Sequence, residues 1–139
     1  MIILDTNVLS ELMRPQPDAG VAGWTDRQPQ RSLFTTTVTQ SELLYGVAIL
    51  PDGERKRTLE DTVRQILATH FSTRLLSFDH TAAEAYARIA ASRRFEGNPI
   101  SQFDAMIAAI TASRGAALAT RNVKDFAGCG IEVINPWEG

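Results

Sequence analysis

Short apolar segments typical of β-strands alternate along the chain with longer segments whose apolar residues have helical spacing. The strand-like segments are residues 2–4, 32–38, 74–78, 116–120 and 131–134. Helical spacing is found between them, over residues 8–13, 19–27, 39–50, 59–67, 82–94 and 103–114. Because parallel strands are joined by crossovers that are usually helices, this order predicts an α/β protein. We expect a central, mainly parallel β-sheet flanked by α-helices on both faces.

The length and composition favour one ordinary globular domain. At 139 residues the chain is close to the commonest domain size. Its 44% apolar and 22% charged residues are near the average for globular proteins. No linker, internal repeat or low-complexity tract divides the sequence. We therefore predict a single domain over residues 1–139.

The charge and cysteine content bear on partners and location. The formal net charge is only −2, so attraction of a nucleic acid would depend on a local patch rather than on the whole protein. The single cysteine, Cys129, has no partner for an intrachain disulfide, which fits a reducing compartment. No apolar run approaches the roughly 20 residues that span a bilayer, and no basic segment precedes the first apolar one. We expect a cytoplasmic protein without membrane association.

Three acidic residues are predicted to lie at one edge of the sheet. Asp5 directly follows the first strand, Glu42 comes after the second, and Asp104 opens the last helix. Residues that follow the fourth predicted strand are placed to reach the same edge: Thr120, Arg121, Asn122 and Asp125. If strands one, two and four adjoin, all these side chains share one pocket. Open parallel sheets bind ligands at the carboxyl ends of their strands.

A cluster of carboxylates suits metal-dependent chemistry. Mg²⁺ and Mn²⁺ prefer oxygen ligands, and such a cation neutralises a phosphodiester and makes a bound water nucleophilic. Without a cation the carboxylates repel one another, and the pKa of at least one of them rises. Asp5, Glu42 and Asp104 are therefore candidate metal ligands for phosphodiester hydrolysis.

Helix capping is an alternative explanation for the same acids. Residues 39–42 and 101–104 both have the form of a capping box, in which the fourth residue bonds back to the first. Residues 81–84 share that form, and we assign Glu84 no function. Asp5 is also suited to cap the helix that follows it. The spacing alone leaves capping and catalysis open.

Four segments of the chain carry a resemblance to a known family. They are Ile3–Ser10, Thr39–Leu43, Phe103–Ala108 and Ala119–Phe126. Together, and in this order, they resemble the PIN-domain family and more narrowly its VapC-type toxins, including the FitB-like branch. The resemblance extends from the first residue to Trp137 and so covers nearly the whole chain.

The resemblance implies a toxin of a type II toxin–antitoxin system that is an Mg²⁺- or Mn²⁺-dependent endoribonuclease acting on single-stranded RNA. The family's catalytic and metal-binding acids correspond to Asp5, Glu42 and Asp104. The family often has a fourth acid where this chain has Asn122, and because an amide brings no negative charge, a second metal is disfavoured. The remaining site predictions are support of the triad by Thr6, Thr120 and Asn122, a peripheral role for Asp125, and RNA contact by Arg121 and Lys124.

The resemblance also implies partners. These are a small antitoxin that occupies the acidic cleft, a second copy in a homodimer, and promoter DNA contacted mainly through the antitoxin. Two rival functions are kept beside this one. Asn122 favours a catalytically weak or inactive PIN-like binding or repressor subunit. Asp5 after the first strand is also found in phosphatases that form an aspartyl-phosphate, although these usually have a second acid where this chain has Asn7.

Overall fold

Five short strands form one parallel sheet at the centre of the computed structural model, which describes all 139 residues. The strands are β1 (Ile2–Leu4), β2 (Leu33–Thr36), β3 (Leu75–Leu76), β4 (Ala117–Ala119) and β5 (Glu132–Ile134). Their order across the sheet is β3-β2-β1-β4-β5, and every neighbouring pair is parallel. The predicted α/β architecture is confirmed. Strands β2, β1 and β4 adjoin, as a shared pocket requires.

Six α-helices surround the sheet. They are α1 (Thr6–Leu12), α2 (Ala19–Arg27), α3 (Thr37–Ala48), α4 (Glu54–Thr69), α5 (His80–Phe95) and α6 (Gln102–Ser113). Single 3-10 turns occur at Gln30–Ser32 and Val123–Phe126. Helix α2 has the predicted bounds, and its end agrees with the position of Pro29. None of the helices combines the length and the apolar character that crossing a membrane requires.

The core lies on both faces of the sheet. Successive residues of a strand point to opposite faces, and Ile3 and Leu4 of β1 accordingly belong to two different hydrophobic clusters. Both side chains are fully buried. Helix α6 covers the Ile3 face with Ile107 and Ala108, whereas α1 and α2 contribute to the Leu4 face. Because β1 is covered on both faces, all of its residues are apolar. Since β1 is the central strand, its carboxyl end lies at the middle of the sheet edge.

The boundary between β2 and α3 differs from the prediction. Strand β2 ends at Thr36 rather than at Val38, and α3 begins at Thr37 rather than at Thr39. The reason is local: the Thr36 hydroxyl caps the helix by accepting a hydrogen bond from the Thr39 N–H at 3.0 Å. Capping therefore overrides the β-propensity of the residues that follow. The prediction that Thr39 caps this helix is wrong.

The predicted strand at residues 74–78 is also too long. Only Leu75 and Leu76 pair with β2. The Asp79 side chain accepts a hydrogen bond from the Ala82 N–H at 2.9 Å and so starts α5 at His80. The suggestion that residues 81–84 form a capping box is therefore wrong. Strands β4 and β5 lie inside their predicted segments and are slightly shorter, as is usual for element ends.

A buried arginine ties α5 to the segment after β4. Arg93 is only 3% exposed. Its guanidinium donates to the carbonyl oxygens of Asn98 and Asp125 at 2.8 Å, to that of Ala127 at 3.1 Å, and to Cys129 Sγ at 3.5 Å. Cys129 is a free, buried cysteine, and this burial raises the pKa of its thiol. Arg93 thus fixes the segment that carries Asp125 against α5.

Candidate active site

The carboxyl ends of β1, β2 and β4 open into a cleft of about 570 Å³. Asp5, Glu42 and Asp104 all line it, together with Thr6 and Asn122. They reach it from different elements: Asp5 precedes α1, Glu42 is on α3 and Asp104 is on α6. The structure therefore brings together, in one polar cleft, the three acids that the sequence singled out.

Asp5 is both a helix cap and a cleft residue. Asp5 is 5% exposed, and its Oδ1 accepts from the Thr6 N–H at 2.8 Å. Oδ2 accepts from the Thr120 hydroxyl at 2.7 Å and from the Asn7 amide at 3.4 Å. Capping and a functional role were alternatives at the level of sequence. In the structure, the cap holds the carboxylate at the edge of the cleft.

The protonation of Asp5 is strongly affected by its surroundings. Burial raises the pKa of Asp5 to about 6, and hydrogen bonds from Thr120 and Thr6 oppose this increase. The negative charges of Asp104 and Glu42 raise the pKa further. Three carboxylates therefore interact electrostatically across the cleft, and a cation among them would relieve both the burial cost and the repulsion.

Glu42 has no capping role. It lies in the second turn of α3, beyond the cap at Thr36. The Thr6 hydroxyl donates to Glu42 Oε1 at 2.7 Å and lies 3.1 Å from the Thr39 hydroxyl. Capping by residues 39–42, which the spacing suggested, is therefore wrong. The side chain of Glu42 is instead oriented by α1, across the cleft from its own helix.

Asp104 lies in the first turn of α6. The Ser101 hydroxyl caps this helix by accepting from the Asp104 N–H at 3.2 Å, as the spacing suggested. The Asp104 carboxylate faces the cleft. Partial burial raises its pKa, as does the charge of Asp125, whereas Ser101 and Arg93 lower it. Asp125 does not line the cleft and acts on Asp104 through its charge.

The donor set suits a hydrated divalent cation. All three acids offer oxygen atoms, which hard cations prefer. No three His, Cys, Asp or Glu side chains are close enough to form a ready-made metal cage. Mg²⁺ usually keeps several waters and binds through one or two carboxylates, so it does not need such a cage. Burial, and to a smaller extent neighbouring carboxylates, raise the pKa values of Asp5 and Asp104, and a bound cation would offset both effects.

Thr120 links the loop after β4 to Asp5. Its side chain is fully buried, and its hydroxyl accepts from the Asn122 N–H at 3.1 Å and from the Asn7 amide at 3.2 Å. Asn122 makes this contact through its backbone, and the residue lines the cleft where the fourth acid was expected. Thr6 and Thr120 thus contact Glu42 and Asp5 directly, as their predicted supporting role requires.

Other cleft residues were not predicted. Asn7, Ser10 and Glu11 lie on α1, Arg14 lies two residues past its end, and Trp137 lies near the end of the chain. Positions 7, 10, 11 and 14 have helical spacing in the sequence, so this polar pattern was a usable signal. Trp137 had no such signal, because only the fold brings it to the cleft. Of the two predicted RNA contacts, Arg121 lines the cleft, and Lys124 is exposed outside it.

The fold and the acidic cleft at the carboxyl edge of its sheet define a known class of protein. The PIN-domain family profile matches residues 2–128, and the chain belongs to the PIN-domain family. Plasmid stability protein StbB of Pseudomonas syringae pv. tomato is 43% identical over 138 residues, and VapC ribonuclease Y4jK of Sinorhizobium fredii is 36% identical; each match covers 99% of both chains. A solved structure of FitAB bound to an IR36 DNA fragment superposes with a TM-score of 0.92 at 36% identity, covering 99% of this chain and 96% of the other.

Proposed function

We propose that this PIN-domain protein is the toxin of a type II toxin–antitoxin system and an Mg²⁺- or Mn²⁺-dependent endoribonuclease that hydrolyses single-stranded RNA. The observation that carries the proposal is the buried carboxylate of Asp5 facing the same cleft as Glu42 and Asp104. The name of the relative VapC ribonuclease Y4jK supports ribonuclease activity. The cytoplasm, which contains RNA and promoter DNA, is the location that fits this activity.

In the proposed mechanism, Asp5 and Asp104 would hold the divalent cation directly or through water, and Glu42 would bind it or orient the attacking water. When bound, such a cation would neutralise charge at the scissile phosphate and lower the pKa of the water bound to it. Glu42, whose Oε1 accepts from the Thr6 hydroxyl, would accept the proton of the attacking water. Attack at phosphorus would break the bond to the 3′ oxygen, which would take a proton from solvent water, leaving a 5′-phosphate and a 3′-hydroxyl. Thr120 keeps Asp5 oriented throughout.

A second candidate function rests on Asn122. This residue lines the cleft and brings no negative charge, which would suit a PIN-like repressor subunit with little or no nuclease activity. The aspartyl-phosphate alternative has less support. The Asn7 amide donates to Asp5 and Thr120, at the position where such phosphatases usually have a second acid, and the chain belongs to the PIN-domain family.

RNA cleavage by the purified chain tests the proposal and separates it from the repressor alternative. We expect the protein, freed of any antitoxin, to cut unstructured RNA with Mg²⁺ or Mn²⁺ and to stop when EDTA is added. Asp104→Asn is expected to lower the rate by about 100-fold, because it removes a charge that would hold the cation. Asp61→Asn makes the same chemical change on the exposed surface of α4 and serves as the matched control. Cleavage without metal, or equal rates for both variants, would contradict the mechanism.

We also propose three partners: a small antitoxin whose segment occupies the acidic cleft, a second copy in a homodimer, and promoter DNA contacted mainly through the antitoxin. The solved structure of FitAB on an IR36 DNA fragment supports a shared assembly on DNA. A cationic antitoxin side chain would complement the cleft electrostatically, because three carboxylates line it.

Growth of a bacterial host tests the toxin assignment. Expression of this chain alone is expected to arrest growth, and co-expression of a small DNA-binding protein encoded beside it is expected to restore growth. Glu42→Gln keeps the shape of the side chain and removes its charge, so this variant should be harmless. Arrest by Glu42→Gln at the same protein level would show that toxicity does not depend on the proposed chemistry.

A further inference from the structure

Arg121 is held at the rim of the cleft with its guanidinium donors free. Its guanidinium carbon lies 5.1 Å from the centre of the Trp137 ring, a cation–π arrangement. The Arg121 N–H donates to the Asn7 side chain at 3.2 Å, which fixes the backbone. The guanidinium itself takes part in none of the four ion pairs of the protein. An arginine beside three carboxylates that pairs with none of them is available to an outside anion.

Trp137 is a firm support for that arginine. Its backbone N–H donates to the Asn135 side chain at 2.9 Å, and the ring packs against the core cluster that contains Leu4 and Val8. The position of the Arg121 guanidinium is thus set by a ring that packs on the folded core. Preorganisation of this kind lowers the entropy cost of binding a ligand.

A second arginine lies farther along the same cleft. Arg14 Nη1 is 3.3 Å from the carboxylate of Glu11, which is buried and also accepts from the Asp18 N–H at 2.9 Å. Both hydrogen bonds from Arg14 use Nη1, so Nε and Nη2 stay available. Asp5 directly precedes α1, Arg14 lies two residues past its last residue, Leu12, and the seven-residue helix is about 10 Å long at 1.5 Å per residue. Arg14 therefore lies at the opposite end of α1 from Asp5.

Building on the proposed ribonuclease function, we infer that Arg121, supported by Trp137, and Arg14 bind RNA phosphates on either side of the scissile bond. The net charge of −2 supplies no general attraction for a polyanion, and the cleft itself is lined by acids. Local cations must supply that attraction, and these two arginines are the basic residues that line the cleft. Arginine is well suited, because its planar fork matches the oxygens of a phosphate. These contacts position RNA without reading its bases.

Steady-state cleavage of an RNA that the wild-type chain cuts tests the inference. Arg121→Gln and Arg14→Gln are each expected to raise KM by about fivefold to tenfold and to change kcat less than about twofold, because a surface phosphate contact contributes mainly to binding. Each variant should also make the slope of log(kcat/KM) against log of salt concentration less negative by about 0.7, the value for one phosphate contact with a single strand. Arg64→Gln, on α4 and outside the cleft, is the matched control.

The outcomes separate this inference from the function on which it rests. If the wild-type chain cuts no RNA, the proposed function fails. If it cuts RNA and the two variants keep its KM and salt dependence, or lose only kcat, the phosphate contacts are refuted.

A double-mutant comparison tests the support by Trp137. Trp137→Leu should raise KM in the wild type and add little in the Arg121→Gln background, whereas Trp137→Phe, which keeps an aromatic face, should restore most of the affinity. Thermal unfolding of each variant reports whether the fold is intact. Equal effects of Trp137→Leu in both backgrounds would show that the ring does not act through Arg121.

Discussion

Asp5→Asn is expected to abolish RNA cleavage and, at the same time, to stabilise the metal-free fold at neutral pH. The two effects have one origin. A carboxylate that is 5% exposed and lies near two other acids is unfavourable for folding but suited to holding a cation. Loss of that charge should lower the cleavage rate by at least about 100-fold, since even the outer-shell partners of a metal are worth about 10-fold to 100-fold.

The sign of the stability effect follows from the pKa. Burial raises the pKa of Asp5 from 3.8 to about 6, so the folded protein binds the proton more tightly than the unfolded chain does. Stability therefore falls as pH rises from about 4 to about 6. Above that range, the ionised Asp5 lowers the free energy of unfolding by its full amount, about 3 kcal/mol. Asn at position 5 avoids this cost, although its amide nitrogen cannot accept from Thr120, so the measured gain should be smaller.

Urea unfolding in EDTA at pH values on both sides of this range measures the effect. Asp5→Asn should be more stable than the wild type near neutral pH, and its advantage should disappear below about pH 4. Mg²⁺ should raise the unfolding temperature of the wild type more than that of the variant. The control variant Asp61→Asn, changed at an exposed position, should show neither effect when it is compared with the wild type. An Asp5→Asn protein that is less stable at neutral pH would mean that the carboxylate stabilises the fold as a cap.

Arg93→Met is expected to be far more damaging to the fold. The Arg93 guanidinium has no carboxylate partner within ion-pair distance and instead satisfies three carbonyl oxygens and the Cys129 sulfur. A methionine fills much of the same space but leaves those acceptors without their donor. Unsatisfied buried polar groups cost about 1–3 kcal/mol each. We therefore expect a loss of about 3 kcal/mol or more, concentrated where residues 125–129 meet α5.

Equilibrium urea unfolding gives the size of this loss, and amide hydrogen exchange gives its location. Amide exchange should increase first in residues 125–129. In β1 and α6, exchange should still require global unfolding. Arg94→Met alters the exposed neighbour on the same helix and is the matched control. Arg93→Lys should restore little stability, because one ammonium group cannot reproduce the planar fork. Similar stabilities for Arg93→Met and Arg94→Met would contradict this role.

The sequence predicted the architecture well because the relevant signals are local. Alternating periodicities placed all five strands, and Pro29 marked the end of α2. Capping was harder, since two segments with the same form behaved differently: Ser101 caps α6, whereas Thr39 lies inside α3. Thr36, three residues earlier, is both the last residue of β2 and the cap of α3. Where a strand stops depends on how far its neighbour pairs with it, and the sequence of one segment does not contain that information.

The same distinction applies to the site. The three acids were found because each follows a recognisable strand or opens a recognisable helix. Glu42 joins them through Thr6, which comes from a different element. Trp137 and Arg93 were missed, because their partners are distant in sequence and only the folded chain brings them together. The local sequence identifies candidate residues, and long-range packing determines which of them lie close together.

The central place of β1 affects when the cleft can form during synthesis. The Asp5 carboxylate receives its strongest hydrogen bond from a residue 115 positions later, and β1 pairs on that side with β4. Contacts between residues so far apart form slowly, and they cannot form before both partners have left the ribosome. A nascent chain therefore carries Asp5, the first of the proposed catalytic acids, for most of translation without a complete site. For a protein proposed to cut RNA, this delay separates its own synthesis from its activity.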